Sequence, residues 1–242
     1  MNYVIHAPAA SWKTSVQLPA SKSICNRALI LNALSYSPYE IQNLSDCDDT
    51  DVMVKALNSN DSHFDGKAAG TAMRFLTAFL SKVVGEWTIT GTERMKNRPI
   101  RILVDALNAV GAKIEYLEKE GFPPLRIMGS ALQGGEISLD GGVSSQYISA
   151  LLMIAPLMEK GLTLHLQGKV ISKPYIHLTL QLMKQYGVES EWVESTIKVA
   201  PQSYRPLPYT VESDWSAASY WYEMMALSQQ AEIELKGLFK ES

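Results

Sequence analysis

The chain has 242 residues, 46% hydrophobic and 19% charged, which is typical of a globular protein with one large domain or two small ones. Its formal net charge of -3 and its lack of a Lys/Arg run exclude general affinity for nucleic acid or anionic membranes, so any basic site must be local. The two cysteines, Cys25 and Cys47, have neither disulfide-framework nor zinc-site spacing, and we expect reduced thiols.

The sequence shows no segment that would direct the chain into or across a membrane. The longest apolar stretch, residues 150–158, is interrupted by Pro156 and is far shorter than the roughly 20 residues that span a bilayer. The first eight residues lack the charged and apolar regions of a signal peptide. We therefore expect a cytoplasmic protein.

One short unit recurs along the chain: a strand runs into a small polar turn, then into an apolar helix and a second strand. The helices are apolar around most of their circumference, which predicts that sheets bury them. They are expected at residues 24–34, 72–80, 146–157 and 217–227. Short alternating strands follow each helix, at residues 39–42, 87–90, 162–166 and 231–235.

The two middle units continue with a second helix that ends at a glycine, Gly111 or Gly187, where a C-terminal cap belongs. Together these elements predict a mixed α/β fold of three βαβαββ units between about Ser21 and Pro201. A fourth unit begins before Ser242.

The proline-containing segment 203–208 is the candidate linker. We predict that residues 1–19 form the first strand of an incomplete second lobe, residues 20–208 a complete lobe, and residues 209–242 the truncated start of the second lobe. If the first strand pairs beyond the linker, the chain crosses between lobes twice and forms a two-stranded hinge.

Cations gather at the predicted helix starts, most clearly in Ser21-Lys22-Ser23 with Arg27 one turn later. A helix N-terminus carries about +0.5 of a charge, so each extra cation there costs about 0.3–1 kcal/mol unless an anion lies among them. Arg74 has the same relation to Gly70. Arg98 and Lys173 lie beside prolines at two further helix starts, and this repetition favours a site for an anionic ligand.

The residues alone leave several alternatives open. In segment 144–146, a polar helix cap and a ligand contact are about equally favoured, and Tyr175 fits a packed aromatic equally well. Segment 46–51 could hold a hard cation, but an acidic first helical turn is favoured. The aromatic cluster 215–222 fits a core or a domain interface better than a base-stacking platform. No common nucleophile, dinucleotide, Walker or zinc-protease motif occurs, and no metal or cofactor is expected.

With these motifs in order, the sequence resembles the N-terminal part of the 5-enolpyruvylshikimate-3-phosphate synthase family. The resemblance rests on Leu18-Pro19-Ala20-Ser21-Lys22-Ser23 with Asn26-Arg27-Ala28, Ala69-Gly70-Thr71-Ala72-Met73-Arg74, Arg94-Met95-Lys96 with Arg98-Pro99-Ile100, Val143-Ser144-Ser145-Gln146-Tyr147, and Ser172-Lys173-Pro174-Tyr175-Ile176. It covers nearly the whole chain.

The resemblance implies a two-lobed cytoplasmic transferase of aromatic amino acid biosynthesis, monomeric when complete, without cofactor, and the family is the target of glyphosate. The 5-hydroxyl of shikimate 3-phosphate would add to C2 of phosphoenolpyruvate, and phosphate would then leave. These small anions would be its partners, without nucleic acid or membrane.

The same resemblance implies roles for individual residues. Lys22 would be catalytic, and phosphoenolpyruvate would bind to Lys22, Gly70, Arg98 and Gln146. Shikimate 3-phosphate would be held by Lys22, Ser23, Arg27, Ser144, Ser145, Gln146, Ser172 and Tyr175.

The sequence departs from the family pattern at Ala20, Ala68 and Phe75, which replace the usual glycine, asparagine and proline and leave glyphosate inhibition open. The family's second lobe supplies further acidic and basic residues, so we expect this chain alone to be inactive or to bind ligand weakly. The alternatives are a non-catalytic anion-binding lobe or half of a split enzyme. A UDP-N-acetylglucosamine enolpyruvyl transferase is less favoured by segment 172–175.

Overall fold

The computed structural model describes Val4 and residues 11–240. Apart from Val4, the segment interpreted as lacking a signal peptide lies outside the described residues. Within the described ranges, no helix has the length and apolar character needed to cross a membrane.

The described chain begins with a strand, a buried helix, a very short strand and a second helix. These are β1 (Ser11–Gln17), α1 (Lys22–Leu34), β2 (Ile41–Gln42) and α2 (Asp48–Asn58). The side chain of Ser21 caps α1 by accepting a hydrogen bond from the backbone N–H of Ile24. β2 is shorter than predicted because the carbonyl of Tyr39 accepts a hydrogen bond from the Asn32 side chain instead of a neighbouring strand.

The next segment forms a four-stranded sheet in the order β3-β4-β6-β5. Its elements are β3 (His63–Asp65), α3 (Gly70–Lys82), β4 (Gly85–Thr90), α4 (Glu93–Lys96), α5 (Arg101–Ala109), β5 (Lys113–Tyr116) and β6 (Leu125–Gly129). β3 and β4 are parallel, and β6 is antiparallel to both β4 and β5. Gly111 follows α5 with φ of 103°, so the predicted glycine cap is confirmed.

A second sheet repeats this arrangement, in the order β7-β8-β10-β9. It contains β7 (Gly135–Asp140), α6 (Ser145–Ile154), β8 (Leu162–Gln167), α7 (Lys173–Gln185), β9 (Glu191–Val193) and β10 (Thr196–Val199). A single turn of 3-10 helix, Ala155–Leu157, extends α6 at Pro156. Gly187, with φ of 84°, ends α7 as predicted.

The chain then returns to its own beginning through β11 (Tyr209–Thr210), α8 (Trp215–Ala226) and β12 (Gln230–Lys236). β11 pairs in parallel with β2, and β12 pairs in parallel with β1 along its whole length. Two backbone hydrogen bonds join segment 19–21 to segment 212–214: Ser21 N–H to Glu212 C=O at 2.9 Å, and Asp214 N–H to Pro19 C=O at 2.8 Å. The two ends of the described chain therefore meet in one small sheet.

The mixed α/β class is confirmed, with helices α1, α3 and α6 buried in a common apolar core. The two middle units form complete four-stranded sheets. The unit around α1 and α2 does not form a four-stranded sheet of its own. Its short strand β2 pairs instead with β11, which follows the candidate linker.

The predicted burial of the last helix is wrong for the described structure. Ala218 is the buried residue of α8, whereas Tyr220 is 69% and Leu227 82% exposed. β1 and β12 form a sheet of two strands with no buried residue, so one helix against it leaves most apolar side chains in contact with solvent. Most apolar side chains of α8 therefore lie at the surface of the described structure and not in its core.

Candidate active site

The starts of α1, α3, α6 and α7 converge on a cavity of about 260 Å³. It is lined by Lys22, Ser23, Asn26, Arg27, Thr71, Ser144, Ser145, Gln146 and Tyr175. Seven of these residues were predicted as ligand contacts, from sequence motifs at the starts of three helices, α1, α6 and α7. No carboxylate is among the lining residues, so the described wall is positive and polar. A larger groove of about 630 Å³ between α1 and α2 contains none of the predicted residues.

Arg27 is the buried cation of this cavity, with only 2% of its surface exposed. Its Nε donates to Thr179 Oγ1 at 2.7 Å, its Nη1 to the carbonyl of Ser23 at 2.8 Å, and its Nη2 to Ser149 Oγ at 3.0 Å. Burial lowers the pKa of Arg27 to about 10, so the guanidinium remains protonated at neutral pH. Because all three acceptors are neutral, the buried charge favours an anion in the cavity.

Gln146 links the starts of α6 and α3. Its Nε2 atom donates to Thr71 Oγ1 at 3.2 Å, across 75 residues of sequence. Ser144 caps the same helix by accepting a hydrogen bond from the Gln146 backbone N–H. Ser144 therefore acts as the helix cap that the sequence offered as one alternative, and it also lines the cavity, where its contact with a ligand stays a prediction.

Asp49 supplies a carboxylate beside this cavity. Its Oδ1 atom accepts hydrogen bonds from the backbone N–H groups of Thr71 at 2.8 Å and Ala72 at 3.3 Å. Its Oδ2 atom lies 3.6 Å from Lys22 Nζ. Asp49 belongs to an acidic first turn, as favoured from sequence, but its side chain caps the neighbouring helix α3. No group of three or more metal-ligating side chains occurs among the residues described.

Gly70 and Arg98 lie together beside the cavity. A methyl group at Gly70 would collide with the guanidinium of Arg98 and would lie 2.8 Å from Arg74 Nη1. Desolvation, followed by the charges of Arg74 and Arg94, lowers the pKa of Arg98. Only glycine therefore allows this guanidinium to approach the start of α3 so closely.

Ser172 differs from the other predicted residues. It lies at the N-cap of α7 in the left-handed region, with φ of 56°, and makes no side-chain cap. It is exposed and is not among the residues that line the cavity. Of the α7 start, the structure brings Tyr175 to the cavity and leaves Ser172 outside its lining.

Three residues with a place at the site were not predicted as site residues. Thr71 lines the cavity and accepts from Gln146, and Asp49 holds Lys22. Asn26 is fully buried, and its Nδ2 atom has no hydrogen-bond partner among the described residues. Asn26 and Thr71 stand inside the matching motifs, which was the available signal; for Asp49 the sequence offered only a run of aspartates.

A family model described as EPSP synthase (3-phosphoshikimate 1-carboxyvinyltransferase) matches residues 7–59 and 58–242. The chain belongs to the EPSP synthase family. The 3-phosphoshikimate 1-carboxyvinyltransferase of Bacteroides fragilis strain YCH46 is 61% identical over 243 residues, covering all of this chain and 59% of the relative. That of Vibrio vulnificus strain YJ016 is 41% identical over 94% of this chain and 60% of the relative. The chain thus spans about three-fifths of the length of these relatives.

The solved EPSP synthase of Acinetobacter baumannii has a similar fold. The two superpose with a TM-score of 0.83 over 93% of this chain and 56% of that chain, at 19% identity. The family predicted from the sequence motifs is therefore confirmed by sequence, and the fold by structure.

The departures from the EPSP synthase pattern lie around the cavity and not in its lining. Phe75 is 1% exposed, and the centre of its ring lies 5.3 Å from the guanidinium carbon of Arg27. Ala20 forms an antiparallel backbone bridge with Ser213, and Ala68 is exposed. Phe75 is the departure that contacts a predicted ligand residue.

Proposed function

We propose that the chain carries the shikimate 3-phosphate site and part of the phosphoenolpyruvate site of a cytoplasmic enolpyruvyl transferase. The reaction joins the enolpyruvyl group to the 5-hydroxyl of shikimate 3-phosphate and releases phosphate. Family membership and the names of the relatives support this. The observation that carries it is the cavity in which Lys22 and the buried Arg27 meet three helix starts without a lining carboxylate.

For shikimate 3-phosphate, we assign the wall formed by α1, α6 and α7. Lys22 and Arg27 provide positive charge for the phosphate and carboxylate of the ligand. Ser23, Ser144, Ser145 and Tyr175 add hydroxyl groups that suit the ring hydroxyls. Their common lining of one cavity supports the assignment, whereas Ser172 lacks that support.

For phosphoenolpyruvate, we assign the neighbouring start of α3 with Lys22, Gly70, Arg98 and Gln146. The support is the contact of Arg98 with Gly70 and the hydrogen bond from Gln146 to the same helix. Lys22 would be the catalytic residue, because it stands between the two regions and its charge can stabilise an anion that develops as the enolpyruvyl group is attacked. Gln146 would contact both ligands.

We further propose that residues 20–208 form one lobe, whereas residues 1–19 and 209–242 belong to a second. The pairing of β1 with β12 and the paired crossings support this division. The exposed apolar side chains of α8 are the surface on which further chain of the family would pack. Since the relatives are longer, we propose that these 242 residues bind ligand without turnover.

Calorimetric titration of shikimate 3-phosphate into this chain, with and without phosphoenolpyruvate, tests the assignment. We expect one molecule of shikimate 3-phosphate to bind per chain. A phosphate-release assay should show no turnover. Absence of shikimate 3-phosphate binding would overturn the site, and steady phosphate release would overturn the lack of turnover. Equal affinity for inorganic phosphate would favour the alternative of a general anion-binding lobe.

A further inference from the structure

The buried hydroxyl groups of Ser149 and Thr179 lie behind Arg27 and form a chain of hydrogen bonds. Its donor-to-acceptor direction follows from the single hydrogen that each hydroxyl carries. Thr179 Oγ1 donates its hydrogen to the carbonyl of Tyr175 at 2.9 Å and accepts from Arg27 Nε at 2.7 Å. Ser149 Oγ lies 2.8 Å from Thr179 Oγ1. A hydroxyl has one hydrogen, and that of Thr179 is already used, so Ser149 is the donor in this contact.

Ser149 then accepts from Arg27 Nη2 at 3.0 Å and donates to Thr179. Donor to acceptor, the hydrogen bonds therefore run in one direction, from the Arg27 guanidinium through Ser149 and Thr179 to the carbonyl of Tyr175. Ser149 and Thr179 are both fully buried. Each hydrogen bond in such a buried chain polarises the next, so the whole arrangement is stronger than its parts.

The two hydroxyl groups occupy one edge of the Arg27 guanidinium and leave N–H donors free for a ligand. Of the five N–H donors of an arginine, three are used here, by Thr179, Ser149 and the carbonyl of Ser23. One donor remains on each terminal nitrogen. The centre of the Phe75 ring lies 5.3 Å from the guanidinium carbon, and this contact restricts the tilt of the guanidinium plane.

We propose that Ser149 and Thr179 are positioning residues for anion binding, because they hold the Arg27 guanidinium and the Tyr175 backbone in one fixed relation. Both ends of the hydrogen-bond chain are residues that line the cavity, whereas Ser149 and Thr179 lie behind it. The identity of the anion rests on the proposed function, but the fixed orientation of Arg27 does not.

The test is Thr179→Val, which keeps the side-chain shape and removes the hydroxyl. The Arg27 Nε–H resonance, identified by its loss in Arg27→Lys, should exchange with solvent about tenfold faster or more, since hydrogen bonds to charged groups contribute that much or more. Shikimate 3-phosphate binding, measured by calorimetry, should weaken by about tenfold or more for the same reason. Thr179→Ser restores the hydroxyl and should restore both values.

Thr77→Val is the matched control. Thr77 is also a fully buried helical threonine, and its Oγ1 donates to the carbonyl four residues earlier, at 2.7 Å, but among the described residues it makes no hydrogen bond to an arginine. We expect this variant to lose stability without a change in Arg27 exchange or ligand affinity. Equal Arg27 exchange in Thr179→Val and Thr77→Val would overturn the proposal, as would unchanged affinity in Thr179→Val. If wild-type chain binds no shikimate 3-phosphate, the proposed function fails, and the exchange rates still decide whether the hydroxyl groups orient Arg27.

Discussion

The carboxylate of Asp49 accepts a hydrogen bond of 2.8 Å from the backbone N–H of Thr71, which lies 22 residues further along the chain. The first amides of α3 therefore already have an anion from α2, and its second oxygen faces Lys22 at 3.6 Å. The positive end of the α3 dipole is therefore partly neutralised, and the proposed phosphoenolpyruvate site at this helix start depends on the charge of Arg98, whose guanidinium lies against Gly70. Since Lys22 is the first residue of α1, the same carboxylate also lies beside the start of α1.

Replacing Asp49 should lower stability through α3. We expect Asp49→Ala to reduce the free energy of unfolding by about 1 kcal/mol, as for the loss of other helix caps, in urea unfolding. Asp48→Ala is the control, because Asp48 lies in the same first turn and is exposed. Equal losses in the two variants would show that the charge of the first turn matters and the bond to Thr71 does not.

Arg98→Ala should weaken phosphoenolpyruvate binding far more than shikimate 3-phosphate binding, because Arg98 packs on Gly70 and does not line the cavity. We expect a loss of about tenfold or more for phosphoenolpyruvate, measured by calorimetry with shikimate 3-phosphate present. Arg126→Ala removes an equal charge that is held by Glu86 on the first four-stranded sheet, and should change neither affinity. Equal losses for both ligands in Arg98→Ala would contradict the division of the site.

Phe75→Leu should remove the ring contact that holds the Arg27 guanidinium in place and so weaken shikimate 3-phosphate binding. The cation–ring contact contributes about 0.5–2 kcal/mol, so we expect a loss of up to about thirtyfold in shikimate 3-phosphate affinity. Phe79→Leu is the control, one turn later on the same helix and on the groove between α1 and α2. If calorimetry shows the same affinity for both variants, the ring of Phe75 does not support Arg27.

Buried and partly buried tyrosines should make the fold less stable in alkali. Desolvation raises the pKa of Tyr209 and of Tyr116 to about 12 and raises that of Tyr204 well above its ordinary value. The folded state thus favours the neutral phenols, so stability is complete below a pH of about 10 and falls as the pH rises toward 12. Urea unfolding across this range should show the fall.

Tyr204→Phe provides the comparison for this pH dependence. Its hydroxyl donates to the carbonyl of Met153 at 2.7 Å, which ties the linker to α6. The variant should be less stable at pH 8 and should lose less stability between about pH 10 and 12 than the wild type does. An identical slope in both proteins would exclude Tyr204 as a cause.

The sequence predicted those elements of the fold that depend on residues close together in the chain. The apolar helices α1, α3 and α6 and the glycine caps at Gly111 and Gly187 follow from periodicity and from backbone freedom at glycine. The pairing of β2 with β11 did not follow, because a two-residue strand carries no pattern that names its partner. The exposure of α8 did not follow either, since an apolar helix indicates that a surface will be covered and not whether this chain covers it.

The same distinction holds at the site. Motif order predicted that Lys22, Arg27 and Gln146 would share one cavity. The contact of Asp49 with Thr71 and the path from Arg27 to Tyr175 depend on packing between distant helices, which side-chain identity alone does not specify.

The central claim is that the cavity at the starts of α1, α6 and α7 binds shikimate 3-phosphate. The most direct measurement is an NMR titration of the isotope-labelled chain with shikimate 3-phosphate, with shikimate as the unphosphorylated comparison, since it detects even weak binding. We predict saturable shifts of the backbone amides of Ser23, Ser145, Gln146 and Tyr175, smaller with shikimate and absent in Arg27→Lys. Shifts centred elsewhere, or none at millimolar ligand, would contradict the account.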